Sequence, residues 1–181
     1  RPVVCGLGPA GLFAALLLAR HGAKPLVLER GPSIERRAAA VDAFFAGGPL
    51  DENANIQFGE GGAGTFSDGK LTTRIGDPLC DYVRRTLLEH GAPEEIAWQA
   101  KPHIGTDRLR EVILSLRREI ERLGGEVRFD TRLTGLIRRE GRLAGVETDA
   151  GPIETDALVL AIGHSARDTF EMLRSAGLTL E

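Results

Sequence analysis

Near the start of the chain, glycines stand at positions 6, 8 and 11, and an acid, Glu29, follows 18 positions after the last of them. This spacing suits an anion held by main-chain N–H groups. Gly6 allows a tight turn, Gly8 lets a pyrophosphate approach the backbone, and Gly11 lets a helix pack closely on a strand. Pro9 fits a helix's first turn, where its missing N–H costs nothing. Pro9 and Ala10 therefore open a helix whose N-terminus offers N–H donors and partial positive charge to the anion. Glu29 can hold both hydroxyls of an adenosine ribose, and its charge repels a 2′-phosphate. The pattern points to a dinucleotide other than NADP. It does not choose between NAD and FAD.

A second glycine run raises a different chemistry. In GTFSDGKL, four residues separate Gly64 from Gly69-Lys70, most of a P-loop for ATP or GTP. Leu71 stands where that loop needs a Ser or Thr to hold magnesium. The preceding DENANIQF is too polar for the buried strand that must feed such a loop. The stretch is therefore read as a glycine-rich loop of another kind.

Other reactive side chains are less informative. Arg30, Arg36 and Arg37 follow Glu29, and one of them can reach a phosphate, although such runs more often form a solvated face. His103 and His164 could exchange protons, but neither has a carboxylate beside it in the sequence, so structural roles are expected. Cys5 and Cys80 do not form a C-x-x-C pair, and nothing suggests disulfides, so a reducing, cytoplasmic setting is expected. No metal-ligand spacing appears.

The elements that must position these residues follow from apolar patterning. Pro2 to Cys5 reads as a strand, Ala10 to Arg20 as a buried helix, and Pro25 to Glu29 as a second buried strand. Together they make a parallel βαβ unit. Ser33 to Phe45 reads as a helix, 47 to 73 as a long irregular segment, and Pro78 to His90 as a helix. From Thr106 a further helix carries Leu109, Val112, Ile113, Leu116, Ile120 and Leu123 as one stripe. Glu126 to Phe129 is a third strand. Leu133–Arg138, Arg142–Asp149 and Pro152–Thr155, separated by turn residues, form an antiparallel meander. The wholly apolar Ala157 to Ile162 suits the centre of a parallel sheet, and Arg167 to Ala176 closes with a short helix.

The bulk properties agree with one globular domain. The chain has 181 residues, 42% hydrophobic and 27% charged, which is ordinary composition. A net charge of −3 and a pI near 5.9 give no basic footprint for nucleic acid. The apolar run Leu12 to Ala19 is too short to cross a bilayer. The opening almost inside a strand, without Met, and the ending without a closing element suggest a fragment of a longer protein.

The order of these elements resembles the FAD domain of the glutathione-reductase-type flavoproteins: an α/β Rossmann-type FAD/NAD(P)-binding domain with a parallel sheet and a three-stranded antiparallel β-meander. The runs GPAGLFAALLLA, LVLERG, QFGEGGAGTFSDGKLTTRI, KPHIGTDRLR and LAIGHSARDTFEML are similar to a family of bacterial FAD-dependent dehydrogenases. The resemblance implies FAD as cofactor, a small-molecule substrate and possible use of NAD(P)H. It also implies that a substrate-side domain and a last FAD-site segment lie outside residues 1–181. In such proteins a glycine-rich loop runs along the pyrophosphate toward the flavin. This puts Gly61, Gly62, Ala63 and Gly64 against the cofactor, with Thr65, Ser67 and Lys70 near the phosphates or the ring. Leu133 would lend backbone atoms to the adenine, and Gly163 would lie against the cofactor. A flavin-dependent RNA-modifying enzyme and a non-enzymatic dinucleotide-binding module share this domain and stand as alternatives.

Overall fold

A computed structural model describes residues 1–67, 69–71, 75–99 and 102–180. In chain order, strand β1 (Val3–Cys5) leads through helix α1 (Pro9–Arg20) to β2 (Leu26–Leu28). Helix α2 (Ile34–Phe45) follows, then a glycine-rich segment containing one 3-10 turn at Ala63–Phe66, then α3 (Leu79–Glu89). A second 3-10 turn, Glu94–Ala97, which the sequence pattern does not announce, precedes α4 (Thr106–Arg122) and β3 (Glu126–Arg128). Strands β4 (Leu133–Arg139), β5 (Arg142–Thr148) and β6 (Ile153–Glu154) form the meander, and β7 (Leu158–Leu160) and α5 (Arg167–Ser175) end the chain.

Four short parallel strands in the order β3-β2-β1-β7 make one sheet, and β4-β5-β6 make a separate antiparallel sheet. Side chains alternate across the parallel sheet with the period of two that a strand imposes. Val4 and Val27 join Leu12 and Leu16 of α1 and Val112, Leu116 and Ile120 of α4 in the larger core cluster. Val3, Cys5, Leu26 and Leu28 turn the other way, onto Leu133 of β4 and Val146 of β5. Because both faces are covered, the central strands are apolar at every position. The stripe on α4 works as its spacing dictates: Leu109, Val112, Ile113, Leu116 and Ile120 are all buried, each contributing about 1.5–3 kcal/mol of transfer free energy.

Strand β7 is as apolar as a central strand but lies at the edge, paired only with β1 among the described residues, and Val159 and Leu160 are 37% and 39% exposed.

Candidate functional site

The carboxyl ends of β1, β2 and β7 open on a cleft of about 260 Å3. Open parallel sheets bind ligands at this end. Its floor is the turn between β1 and α1. Gly6 has φ +96°, and a Cβ there would come within 2.4 Å of the Ala161 carbonyl oxygen. A Cβ on Gly11 would lie 1.8 Å from the Gly6 carbonyl oxygen and 3.3 Å from the Ala161 side chain. Both positions are glycine because the fold has no room for more. Gly8 differs. It lines the cleft, its φ of −65° is open to any residue, and a Cβ there would meet nothing within 4 Å. No neighbour in the chain requires glycine at this position. Leu12 N–H is the first to bond back into the helix, to Gly8 O at 2.9 Å. The N–H groups of Ala10 and Gly11 therefore have no acceptor within α1.

Glu29 forms the next wall. Its Oε2 accepts Leu7 N–H at 2.8 Å and its Oε1 accepts Gly31 N–H at 2.9 Å, so the carboxylate ties the glycine turn to the end of β2. Only 4% exposed, it nevertheless lines the cleft. Burial pushes its pKa up, and the two amide bonds and the nearby Arg37 and Arg30 oppose that shift. Each oxygen uses one lone pair on the protein and keeps acceptor capacity. Beneath it, the Cys5 thiol is pushed up to about 12, first by burial and then by Glu29, so it stays protonated.

Arg30 and Arg132 also line the cleft, and both approach the carboxylate of Asp168. Arg30 makes a two-pronged bond to Asp168 at 3.0 and 2.8 Å, and Arg132 stands 3.7 Å from the same carboxylate. Arg30, first among the causes, holds Asp168 below the usual carboxylate range. The pair pins the first turn of α5 to the end of β2. Between them lie Thr131, Leu133, Gly163, His164 and Ser165. His164, expected to be structural, is exposed at the cleft, its Nε2 3.2 Å from Ser165 Oγ.

The glycine-rich loop supplies the remaining wall through Gly59, Gly62 and Ala63. Gly61 N–H bonds to Leu7 O at 2.9 Å, which brings the loop onto the β1–α1 turn. Gly62 has φ +76°, and a Cβ on it would be 2.8 Å from Pro9 Cδ. The P-loop alternative fails here as well. Residues 51–58 are turns and bends rather than a strand, and Lys70 enters an antiparallel bridge with His103 instead of a helix.

Behind this loop is a polar cluster. Arg37 is completely buried. It donates to Asn55 O at 2.7 Å, Glu60 O at 3.0 Å, Gly62 O at 3.2 Å and Thr65 Oγ1 at 3.3 Å, and it stacks on the Phe66 ring at 4.4 Å. Burial lowers its pKa to about 10, which leaves it charged at neutral pH. Glu60, also fully buried, accepts Ile34 N–H at 2.7 Å and Arg117 Nη1–H at 3.2 Å, both on Oε2, while Oε1 has no partner. Burial raises its pKa to about 7. Arg117 also bonds Glu35 at 2.7 Å.

Nine of the expected contact residues thus line one cleft: Gly6, Gly8, Pro9, Glu29, Arg30, Gly62, Ala63, Leu133 and Gly163. Ala10 and Gly11 lie just behind them in α1. Others are elsewhere. Arg37, expected on a phosphate or a solvated face, is on neither, because its donors are taken up by the loop. Thr65 is buried and donates to Gly62 O at 2.7 Å. Gly61 and Gly64 face α4, where a Cβ would meet Ile113 at 2.8 Å and Leu109 at 3.4 Å. Ser67 is exposed and Lys70 sits in its bridge, both outside the cleft. Asp68, Thr72, Thr73, Arg74 and Lys101, which belong to the resembling runs, lie outside the described residues. Cleft residues to which no cofactor contact was assigned from the sequence include Gln57, Phe58, Gly59, Thr131, Arg132, Ser165 and Thr169. Thr131 and Arg132 lie outside the resembling runs. Among the described residues no cluster of His, Cys, Asp or Glu could hold a metal, and no helix is long and apolar enough to cross a membrane.

Comparison with known proteins agrees with this geometry. Residues 102–180 match the DAO family, described as FAD dependent oxidoreductase. An uncharacterized protein of Clostridium beijerinckii is 51% identical over 181 residues, covering 100% of this chain and 34% of its own length. FixC of Escherichia coli K12 is 28% identical over 89% of this chain and 36% of its own length. Aklavinone 12-hydroxylase DnrF of Streptomyces peucetius is 32% identical over 73% of this chain and 28% of its own. The chain thus spans about a third of the length of the curated relatives it matches. Among solved structures, L-proline dehydrogenase from P. horikoshii superposes with a TM-score of 0.64 at 16% identity, over 100% of this chain and 56% of that one. THI4 of Thermovibrio ammonificans gives 0.62 at 19%, over 98% and 63%. At these identities the superpositions establish the fold. Residues 102–180 are thus similar to the FAD-dependent oxidoreductase family, and the chain shares the Rossmann-type fold of these solved structures.

Proposed function

We propose that the cleft holds the adenosine and pyrophosphate of FAD and that the whole protein is a flavin-dependent dehydrogenase acting on a small molecule. The observation that carries this reading is the pairing of Glu29 with Gly8: a buried carboxylate with spare acceptor capacity beside a glycine whose Cβ space is open. Glu29 would accept the two ribose hydroxyls. Gly8 and the free N–H groups at the start of α1 would take the pyrophosphate, with Gly62 and Ala63 closing from the other side. Thr131 to Leu133 stand where the adenine would lie, and Gly163 flanks the path toward the ring. The same carboxylate disfavours a 2′-phosphate, so NADP is not the resident ligand.

When bound, the flavin supplies the redox chemistry, accepting a hydride from one molecule and returning it to another. The chain's own work is to bind, to orient and to exclude water. The protonated Cys5 adds an apolar floor rather than a nucleophile. NADH or NADPH is the proposed electron partner, and two free cysteines, one of them buried, fit a reducing cytoplasm.

Isothermal titration of the FAD-free full-length protein tests the assignment. Glu29→Ala should weaken FAD binding by about 1–3 kcal/mol, the cost of leaving hydrogen bonds of a charged group unmade. Equal affinity in both proteins would remove Glu29 from the site.

A further inference from the structure

We infer that Arg37, which does not itself line the cleft, is the positioning residue that sets the cleft's width at the phosphate end; this rests on the FAD reading above. The loop from Gly59 to Gly62 is conformationally loose by composition. Gly59, Gly61 and Gly62 all have positive φ (+104°, +75° and +76°), a region that glycine reaches at little cost and leaves as readily. Something must choose one conformation. The Arg37 guanidinium spans the loop from within, bonded to the carbonyls of Asn55, Glu60 and Gly62, and a Cβ on Gly59 would lie 3.2 Å from its side chain. Thr65 relays the hold, accepting from Arg37 and donating to Gly62 O. The consequence reaches the cleft through Gly62, which lines it and lies so near the start of α1 that a Cβ on it would be 2.8 Å from Pro9 Cδ.

The clamp is anchored at its back. Glu60 binds the first helical N–H of α2 and Arg117 of α4, so the loop is fixed to two helices as well as to Arg37. Phe66 is held between the guanidiniums of Arg37 and Arg110, at 4.4 and 4.2 Å, and Arg110 Nε donates to Thr65 O at 2.9 Å. A planar fork is what this geometry needs. Its donors diverge to carbonyls on three different residues, which the single ammonium of a lysine cannot reach together.

Two readouts test this on the full-length protein. The first is amide hydrogen exchange of residues 59–66 in FAD-free protein. The second is the FAD dissociation constant. Arg37→Met and Arg37→Lys should both speed exchange across the loop, and both should weaken FAD by about tenfold or more, the scale seen when supporting groups behind a ligand site are removed. Thr65→Val, which removes only the relay, should give a smaller loss in the same direction and remains informative if the Arg37 variants fail to fold. Lysine restoring wild-type affinity would show that Arg37 acts as a charge on the phosphates, overturning the clamp. Unchanged exchange in the loop of the folded variants would overturn it equally. Because exchange is read without cofactor, it decides the clamp by itself. Failure of the wild-type protein to bind FAD would instead defeat the underlying reading.

Discussion

Two glycines of one motif do different work, and substitution separates them. At Gly11 an added methyl meets a backbone oxygen at 1.8 Å, so the helix must move off the sheet. Gly11→Ala should destabilise the fold by about 1–3 kcal/mol or more. At Gly8 the same methyl enters open space, and Gly8→Ala should change stability by less than about 0.5 kcal/mol. It should nevertheless weaken FAD, because the methyl occupies the space the pyrophosphate needs. Denaturant melts beside FAD titrations check both. A Gly8→Ala protein that binds FAD as the wild type does would contradict the placement of the pyrophosphate. These residues were legible in the sequence because their demands are local: each acts within one turn. Arg37 and Glu60 were not. Arg37 bonds residues 18 to 28 positions away and Arg117 reaches Glu60 across 57, so only the packed structure shows that a charged helix residue has become interior.

At the scale of elements, the junction of the glycine loop, α2 and α4 makes the stability respond to pH. Glu60 has a folded pKa near 7, raised by burial from an ordinary value of 4.5. Between those values the native state holds a proton that the unfolded chain has released. Stability contributed by Glu60 is therefore full below about pH 4.5 and is lost as pH rises toward 7, by up to about 3 kcal/mol. Carboxylates with depressed pKa values act in the opposite sense and lower down. Glu35, near 2 through its bond to Arg117 against the cost of burial, and Asp168, lowered by Arg30, lose their contribution as pH falls below the ordinary carboxylate range. Glu60→Gln should flatten the wild-type decline between pH 5 and 7.5 in equilibrium unfolding, since the amide mimics the protonated acid. Parallel pH profiles for the two proteins would refute this. Helix α4 was readable in advance because its five buried apolar residues repeat with helical period. The pairing of β7 with β1 was not, because it joins residues remote in sequence.

For the molecule as a whole, the elements converge on one end of the parallel sheet and leave the P-loop-like stretch outside the cleft. Added ATP with magnesium should leave the melting temperature unchanged, whereas FAD should raise it by mass action on the native state. Stabilisation by ATP with magnesium alone would restore the discarded reading. FAD in this cleft, in a working oxidoreductase, is the proposed function. Its most direct measurement is the visible absorption spectrum of the purified full-length protein, saturated with FAD, freed of excess by gel filtration and then treated anaerobically with NADH or NADPH. A flavin band retained at one per chain and bleached by a reduced nicotinamide is expected. A colourless protein after gel filtration would contradict it.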